Sequence, residues 1–171
     1  ARSGTGIVSV LAIVSLTIGS AIAFLVAGGT WMFWERAQHV EEAAPALKET
    51  FGNEMEGFLY PWFALALLAC AFILPALFNL TAQAAVLGAS GREQRLATLR
   101  LLGLSSRQVE RMAIVETGLQ ALIGIVLGGL ISLLVAPVFT QLDFQMRSIS
   151  LEELVLPWWG YLAVAGVLFF V

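Results

Sequence analysis

The first uncharged run of the chain spans residues 7–33 and reads IVSVLAIVSLTIGSAIAFLVAGGTWMF. An α-helix rises about 1.5 Å per residue, so this run extends to about 40 Å and can cross a hydrocarbon core of about 30 Å. A cleaved signal peptide has a shorter apolar core and a small-residue cleavage site. The run therefore predicts a membrane-spanning helix.

Three further apolar runs follow and predict three more membrane helices. The second run contains Pro61 and Pro75, and Pro75 predicts a kink because it removes one backbone donor. The fourth run begins near Trp158 and is still apolar at Val171, so we expect an incomplete helix and a chain that is part of a longer protein. The predicted module comprises TM1 about 7–33, outer loop 35–60, TM2 about 61–88, a cytoplasmic helix 91–103, TM3 about 106–136, outer loop 137–157 and TM4 from 158.

The composition agrees with an all-α, polytopic membrane protein. Hydrophobic residues make up 59% of the chain and charged residues 12%, with a mean hydropathy of +0.88. A soluble domain carries about 25% charged residues. The net charge of −3 also excludes a nucleic-acid partner, which needs a broad basic field. Cys70 is the only cysteine, so neither a disulfide framework nor a cysteine-based zinc site is expected.

The charged residues are unevenly distributed among the loops. Residues 91–111 hold five of the nine basic side chains and sum to +3, whereas residues 35–60 sum to −4 and residues 143–153 to −2. Lysine and arginine in short loops mark the cytoplasmic side. The 91–111 segment and the N-terminus, which carries Arg2, are therefore predicted to be cytoplasmic.

The tryptophans and tyrosines support this topology. All five Trp and both Tyr fall at the predicted outer ends of the membrane helices, where an aromatic ring can be half apolar and half hydrated. They are interpreted as lipid anchors, with a ligand site as the alternative. In the second helix, Asn79, Thr81 and Gln83 either hydrogen-bond across the bundle or line a path.

The cytoplasmic segment 91–103 reads as a short amphipathic helix. Leu96, Leu99 and Leu102 recur at a spacing of three, and Gly103 suits a helix C-cap. Such a helix, lying parallel to the membrane, is suited to binding another protein. The equally weighted alternative is that its arginines set the topology and contact anionic lipid headgroups.

Residues 92–109 read REQRLATLRLLGLSSRQV and closely resemble the signature that follows the second membrane helix of FtsX-like permeases, the MacB-type ABC transporter superfamily. Arg95 stands where the family usually has Glu, and Leu101 where Ala is commoner. The 26-residue outer loop 35–60 resembles one half of the larger members, which carry two such modules. The matching residues are Leu96, Ala97, Leu99, Arg100, Leu102, Gly103 and Ser105, followed by Glu116, Gly118, Gly124, Gly128 and Gly129.

The resemblance implies that the 91–103 helix docks on a separate cytosolic ABC ATPase, which binds ATP and Mg²⁺, while this chain holds no cofactor. It also implies a second permease module or protomer and a location in the bacterial cytoplasmic (inner) membrane. The residues expected to dock on the ATPase are Arg92, Glu93, Arg95, Leu99, Arg100 and Gly103, with Arg107, Arg111 and Glu116 supporting the coupling and Gly124 and Gly128 packing helices.

No catalytic template is present in the sequence. It has no G-x-x-x-x-G-K-[ST] phosphate loop and no H-E-x-x-H motif, and His39 is its only histidine. We therefore expect no catalytic residue, no metal site and no ATP hydrolysis by this chain. The predicted function is a membrane permease subunit that transmits ATP-driven motion or exports a lipid, peptide or drug-like substrate. The alternative is a non-transporting membrane scaffold or sensor that engages an extracytoplasmic partner.

Overall fold

A computed structural model describes the backbone of residues 3–39, 55–101, 106–144 and 147–170. Four of its helical stretches are long and apolar enough to cross a membrane, namely Ser9–Gln38, Leu59–Leu80, Glu110–Phe139 and Leu151–Phe170. The predicted all-α class with four membrane helices is confirmed. The elements are α1 (Ser3–Gln38), α2 (Met55–Leu101), α3 (Ser106–Phe139), β1 (Asp143–Phe144), β2 (Arg147–Ser148), α4 (Leu151–Leu154) and α5 (Trp158–Phe170).

Helix α1 lies at the centre of the bundle. It packs against α2 on one side, against α3 on another, and against α4 and α5 near its C-terminal end. Helix α5 also packs on α3, whereas α2 makes few contacts outside α1. Every other described helix therefore contacts α1.

Glycines on α3 allow it to approach α1 closely. A Cβ atom on Gly124 would lie 2.6 Å from the Leu16 Cβ, and one on Gly128 would lie 2.7 Å from the Ala21 backbone nitrogen. The Ser20 hydroxyl lies 2.9 Å from the Gly124 carbonyl oxygen and donates across this contact, while remaining within reach of the Leu16 carbonyl. Small residues that bring backbones together are the usual basis of helix association in lipid.

The connection from α3 to α5 folds back over the ends of α1 and α3. Strands β1 and β2 form a two-residue antiparallel hairpin, and α4 follows it. The side chains of Ile149 and Leu154 are buried against Met32 and Ala136. The Leu154 carbonyl oxygen sits over Gly28, where a Cβ atom would be only 2.5 Å away. This connection is therefore packed onto the bundle by backbone as well as side-chain contacts.

Helix α2 differs from the sequence-based expectation. A break between residues 88 and 91 and a separate helix over 91–103 were expected, but α2 continues for 47 residues from Met55 to Leu101. Gly88 and Gly91 each cost only about 1 kcal/mol in a helix, and the stretch from Arg92 to Leu101 is rich in good helix formers. No proline follows Pro75 within α2, so nothing in this stretch forces the helix to end.

Candidate functional site

The two ends of the bundle differ in chemistry. We call the end that carries Trp31, Trp34, Tyr60 and Trp62 the aromatic end, and the opposite end, where α2 finishes and α3 begins, the arginine end. The uncharged part of α2 ends at Gly91, and the helix continues for ten residues from Arg92 to Leu101. At about 1.5 Å per residue, this charged extension is about 15 Å long.

The residues expected to dock on a partner lie mainly on this extension of α2. The backbone of Arg92, Glu93, Arg95, Leu99 and Arg100 is helical and continuous with the membrane span. Gly103 lies outside the described residues. The segment expected to dock is therefore, as far as Leu101, the end of a long membrane helix rather than a separate helix.

Two of the three supporting residues lie in the first turns of α3. Arg107 and Arg111 are exposed there, as is Glu110 between them. Within the part of the chain that the structure describes, none of these three side chains forms an ion pair with another described residue.

Glu116, the third supporting residue, lies near the membrane surface rather than deep in the membrane. Because Gly124 packs on Leu16 and the two helices run in the same direction, Glu116 is level with about residue 8 of α1. Residue 8 lies 23 positions before Trp31, or about 35 Å along the helix, which exceeds a hydrocarbon thickness of about 30 Å. Glu116 is half-buried, and it pairs with neither Arg107 nor Arg111.

At the aromatic end, rings from three helices contact one another. Trp31 of α1 meets Trp159 of α5 edge to face, with ring centroids 5.3 Å apart. Phe33 stacks on Trp62 of α2 at 6.5 Å. The sequence placed the tryptophans at this boundary as separate lipid anchors; the structure shows that they also join α1 to its neighbours.

A buried ion pair at the aromatic end went unrecognised in the sequence. Arg36, which is 3% exposed, lies 2.7 Å from a carboxylate oxygen of Glu153, which is 15% exposed. The two residues are 117 positions apart, and each is surrounded in the sequence by other charged residues of an acidic loop. The one signal in the sequence was a basic residue, Arg36, close to the end of the apolar run 7–33, in a segment with a net charge of −4.

An apolar cleft opens between α1, α2 and α5. Its volume is about 230 Å³, and its walls are aliphatic apart from Cys70, whose sulfur lies 3.2 Å from the Thr30 hydroxyl. Within the described ranges, no group of three His, Cys, Asp or Glu side chains could hold a metal ion. The cleft and the two bundle ends define a multi-pass helical membrane protein with a charged, protruding helix at one end.

A comparison with known families identifies the class more closely. The model of the FtsX-like permease C-terminal family matches residues 68–171. The match covers more than half of the chain, so the chain belongs to the FtsX-like permease family, as its resemblance to that family predicted. No curated protein and no solved structure matches the chain. FtsX-like permeases are typically non-catalytic membrane subunits that pair with ABC ATPases.

Proposed function

We propose that this chain is the membrane subunit that transmits ATP-driven motion from a cytosolic ABC ATPase across the membrane. The observation that carries this proposal is the continuity of α2 over 47 residues, about 70 Å. A single helix joins the arginine end to Tyr60 and Trp62 at the aromatic end. A displacement applied near Arg100 can therefore be carried to the opposite surface along one helix, which contains Pro61 and Pro75.

The ATPase docks on the end of α2 in this proposal. Arg92, Glu93, Arg95, Leu99, Arg100 and Gly103 form the contact, with Arg107, Arg111 and Glu116 supporting it from α3. ATP and Mg²⁺ bind to the partner ATPase. The residue types support such a contact, since arginines around leucines combine directional hydrogen bonds with apolar anchors.

The orientation follows from the distribution of charge. The arginine end and the N-terminus face the cytoplasm, because short loops rich in arginine remain on that side. The acidic loops, which sum to −4 and −2, then face outward together with the aromatic end. The tryptophans Trp31, Trp62 and Trp159 make ring contacts at this same end of the bundle. They support this placement, since tryptophan favours the membrane interface.

The packing of the bundle supports a relative motion of α2. The Gly128 contact ties α3 to α1, and the Gly28 contact and the Arg36–Glu153 pair tie α4 to α1. Helix α2 is joined mainly to α1. Nucleotide-dependent contacts on the ATPase would thus bias the position of α2 against a stiffer unit, which is how a ligand shifts a two-state equilibrium.

The test reverses the charge of the docking segment. Mass spectrometry should identify the ATPase in the complex purified with the wild-type chain. It should not find the ATPase with the double variant Arg92→Glu/Arg100→Glu. The matched control, Lys48→Glu/Arg147→Glu, reverses two charges in the segments between α1 and α2 and between α3 and α5. Both variants should insert into the membrane equally well.

Two results would contradict the proposal. One is retention of the ATPase by the Arg92→Glu/Arg100→Glu variant at the wild-type level. The other is the absence of any nucleotide-binding subunit from the wild-type complex, which would favour a membrane scaffold or sensor that uses its acidic outer loops.

A further inference from the structure

The connection between α3 and α5 turns back along the side of α1 before α5 begins. Helix α3 ends at Phe139, and the hairpin of β1 and β2 follows it. Beyond the hairpin, the Leu154 carbonyl oxygen sits over Gly28 of α1, and the Leu156 side chain is buried with Phe24 of the same helix. The segment that leads into α5 thus packs against positions well before the C-terminal end of α1.

These contacts give the depth of the segment in the membrane. Trp31 lies at the aromatic end, where tryptophan marks the membrane interface, and it follows Gly28 by three residues and Phe24 by seven. At about 1.5 Å per residue, Gly28 is about 4.5 Å and Phe24 about 10 Å inside the level of Trp31. Leu154 and Leu156 therefore lie at the depth of lipid acyl chains.

At this depth the segment has an inner and an outer face. Leu154 and Leu156 are buried against the bundle, whereas Val155 is 39% and Trp158 is 76% exposed. Leu151, one helical turn before Val155, is 44% exposed and continues the outer face toward the membrane surface. The outer face is therefore apolar along its whole length.

The charges of the connection lie before the segment that packs at acyl depth. Glu152 and Glu153 directly precede it, and no charged residue follows Glu153 in the sequence. Glu153 pairs with Arg36, whose backbone lies five residues beyond Trp31, or about 7.5 Å on the headgroup side. The change from charged to uncharged residues thus coincides with the level at which the chain passes into the membrane.

The backbone of the segment is suited to a site without water. Irregular backbone is tolerated at membrane depth only where protein buries it or satisfies its polar groups. The Val155 N–H donates to the Leu151 carbonyl oxygen, and Pro157 has no N–H that needs a partner. A further backbone hydrogen bond joins Leu156 to the hydroxyl of Tyr161. The turn into α5 therefore does not depend on water for these groups.

We propose that residues 154–158 are embedded in the lipid leaflet at the aromatic end, with acyl chains covering Val155 and Trp158. The depth of the segment selects this occupant, because an uncharged face several ångströms inside the interface meets lipid tails before it meets a soluble partner. Part of the outer loop 137–157 then acts as a membrane anchor. This proposal depends neither on the ATPase nor on which side of the membrane the aromatic end faces.

Fluorescence quenching in lipid nanodiscs tests the depth. In a Cys70→Ser background of the full chain, Val155→Cys carries a bimane label, and Ser148→Cys, at an exposed residue of the hairpin, is the matched control. A lipid with a nitroxide on its acyl chain should quench the label at Val155→Cys about twofold more strongly than the label at Ser148→Cys, since only the former lies within the hydrocarbon layer. Iodide in the aqueous phase should quench the two labels in the opposite order.

A second label position guards against a local effect of one substitution. Trp158→Cys should be quenched by the nitroxide lipid as strongly as Val155→Cys. If iodide quenches both labels as strongly as the one at Ser148→Cys, the segment lies in water and the proposal is overturned. If neither quencher reaches Val155→Cys or Trp158→Cys, another protein chain covers the outer face, which also overturns the proposal.

Discussion

The guanidinium of Arg36 donates two hydrogen bonds, of 3.1 and 2.7 Å, to a single carboxylate oxygen of Glu153. This contact joins the C-terminal end of α1 to α4 at the aromatic end of the bundle. Removing one partner of a buried ion pair leaves the other charge without compensation. The pair therefore fixes the α3–α5 connection onto α1, although neither residue belongs to the family signature.

Replacing Arg36 should destabilise the protein. Arg36→Ala should lower the free energy of unfolding by about 3 kcal/mol, because the buried ion pair with Glu153 is lost. The measurement is denaturant unfolding in mixed micelles. Glu152→Ala, on the same short helix but exposed, should change stability by no more than about 0.5 kcal/mol. Equal losses of unfolding free energy in the two variants would show that the Arg36–Glu153 pair does not stabilise the protein more than an exposed charge does.

A methyl group at Gly28 should displace α4. The added Cβ would lie 2.5 Å from the Leu154 carbonyl oxygen, a backbone atom that cannot rotate away. We expect Gly28→Ala to cost about 1–3 kcal/mol of unfolding free energy. Gly29→Ala is the control, since nothing lies within 4 Å of its Cβ position and alanine favours a helix. The prediction fails if both variants are as stable as the wild type.

A methyl group at Gly128 should separate α1 from α3. The Gly128→Ala side chain would overlap the Ser20 hydroxyl and the Ala21 backbone nitrogen, at a cost of about 1–3 kcal/mol. Adding Ser20→Gly should restore part of the loss, because it removes one of the two overlaps. Thermal unfolding in detergent measures both effects. Gly166→Ala, which meets open space in α5, should leave the melting temperature unchanged or raised.

The continuity of α2 can be measured as a distance. Spin labels on Gln83→Cys and Thr98→Cys, in a Cys70→Ser background, would be about 23 Å apart along one straight helix. A right-angle turn near residues 88–91 would reduce that separation to about 16 Å. Double electron–electron resonance in lipid nanodiscs distinguishes the two. A population centred on the shorter distance would restore the separate membrane-parallel helix predicted from the sequence.

The membrane class could be predicted from local sequence, because an uncharged apolar run long enough to span a bilayer is rarely found outside a membrane helix. The family, too, could be recognised from the signature at residues 92–109. The Arg36–Glu153 pair could not, since it depends on how two segments 117 positions apart meet. The sequence-based bounds ended the second membrane helix at about residue 88, whereas α2 continues to Leu101, because glycine at positions 88 and 91 weakens a helix without terminating it.

The contact between Ser20 and Gly124 is a second feature that could not be predicted from local sequence. The spacing of Gly124 and Gly128 indicated a close helix approach, but not which helix approaches. A partner could be another chain or any of the other three membrane helices. The hydrogen bond from Ser20 places that partner in α1. Which docking residues reach an ATPase stays a prediction for the experiments above.

The central position of α1 has a consequence for biosynthesis. Helix α1 precedes α2, α3 and α5 along the chain, and each of them packs against it. As the ribosome delivers the helices in that order, every later helix meets its principal neighbour already inserted in the bilayer. None has to wait for a partner that is still untranslated. Assembly can therefore keep pace with synthesis, because α2 covers Thr30 of α1 and α3, the next to arrive, covers Ser20.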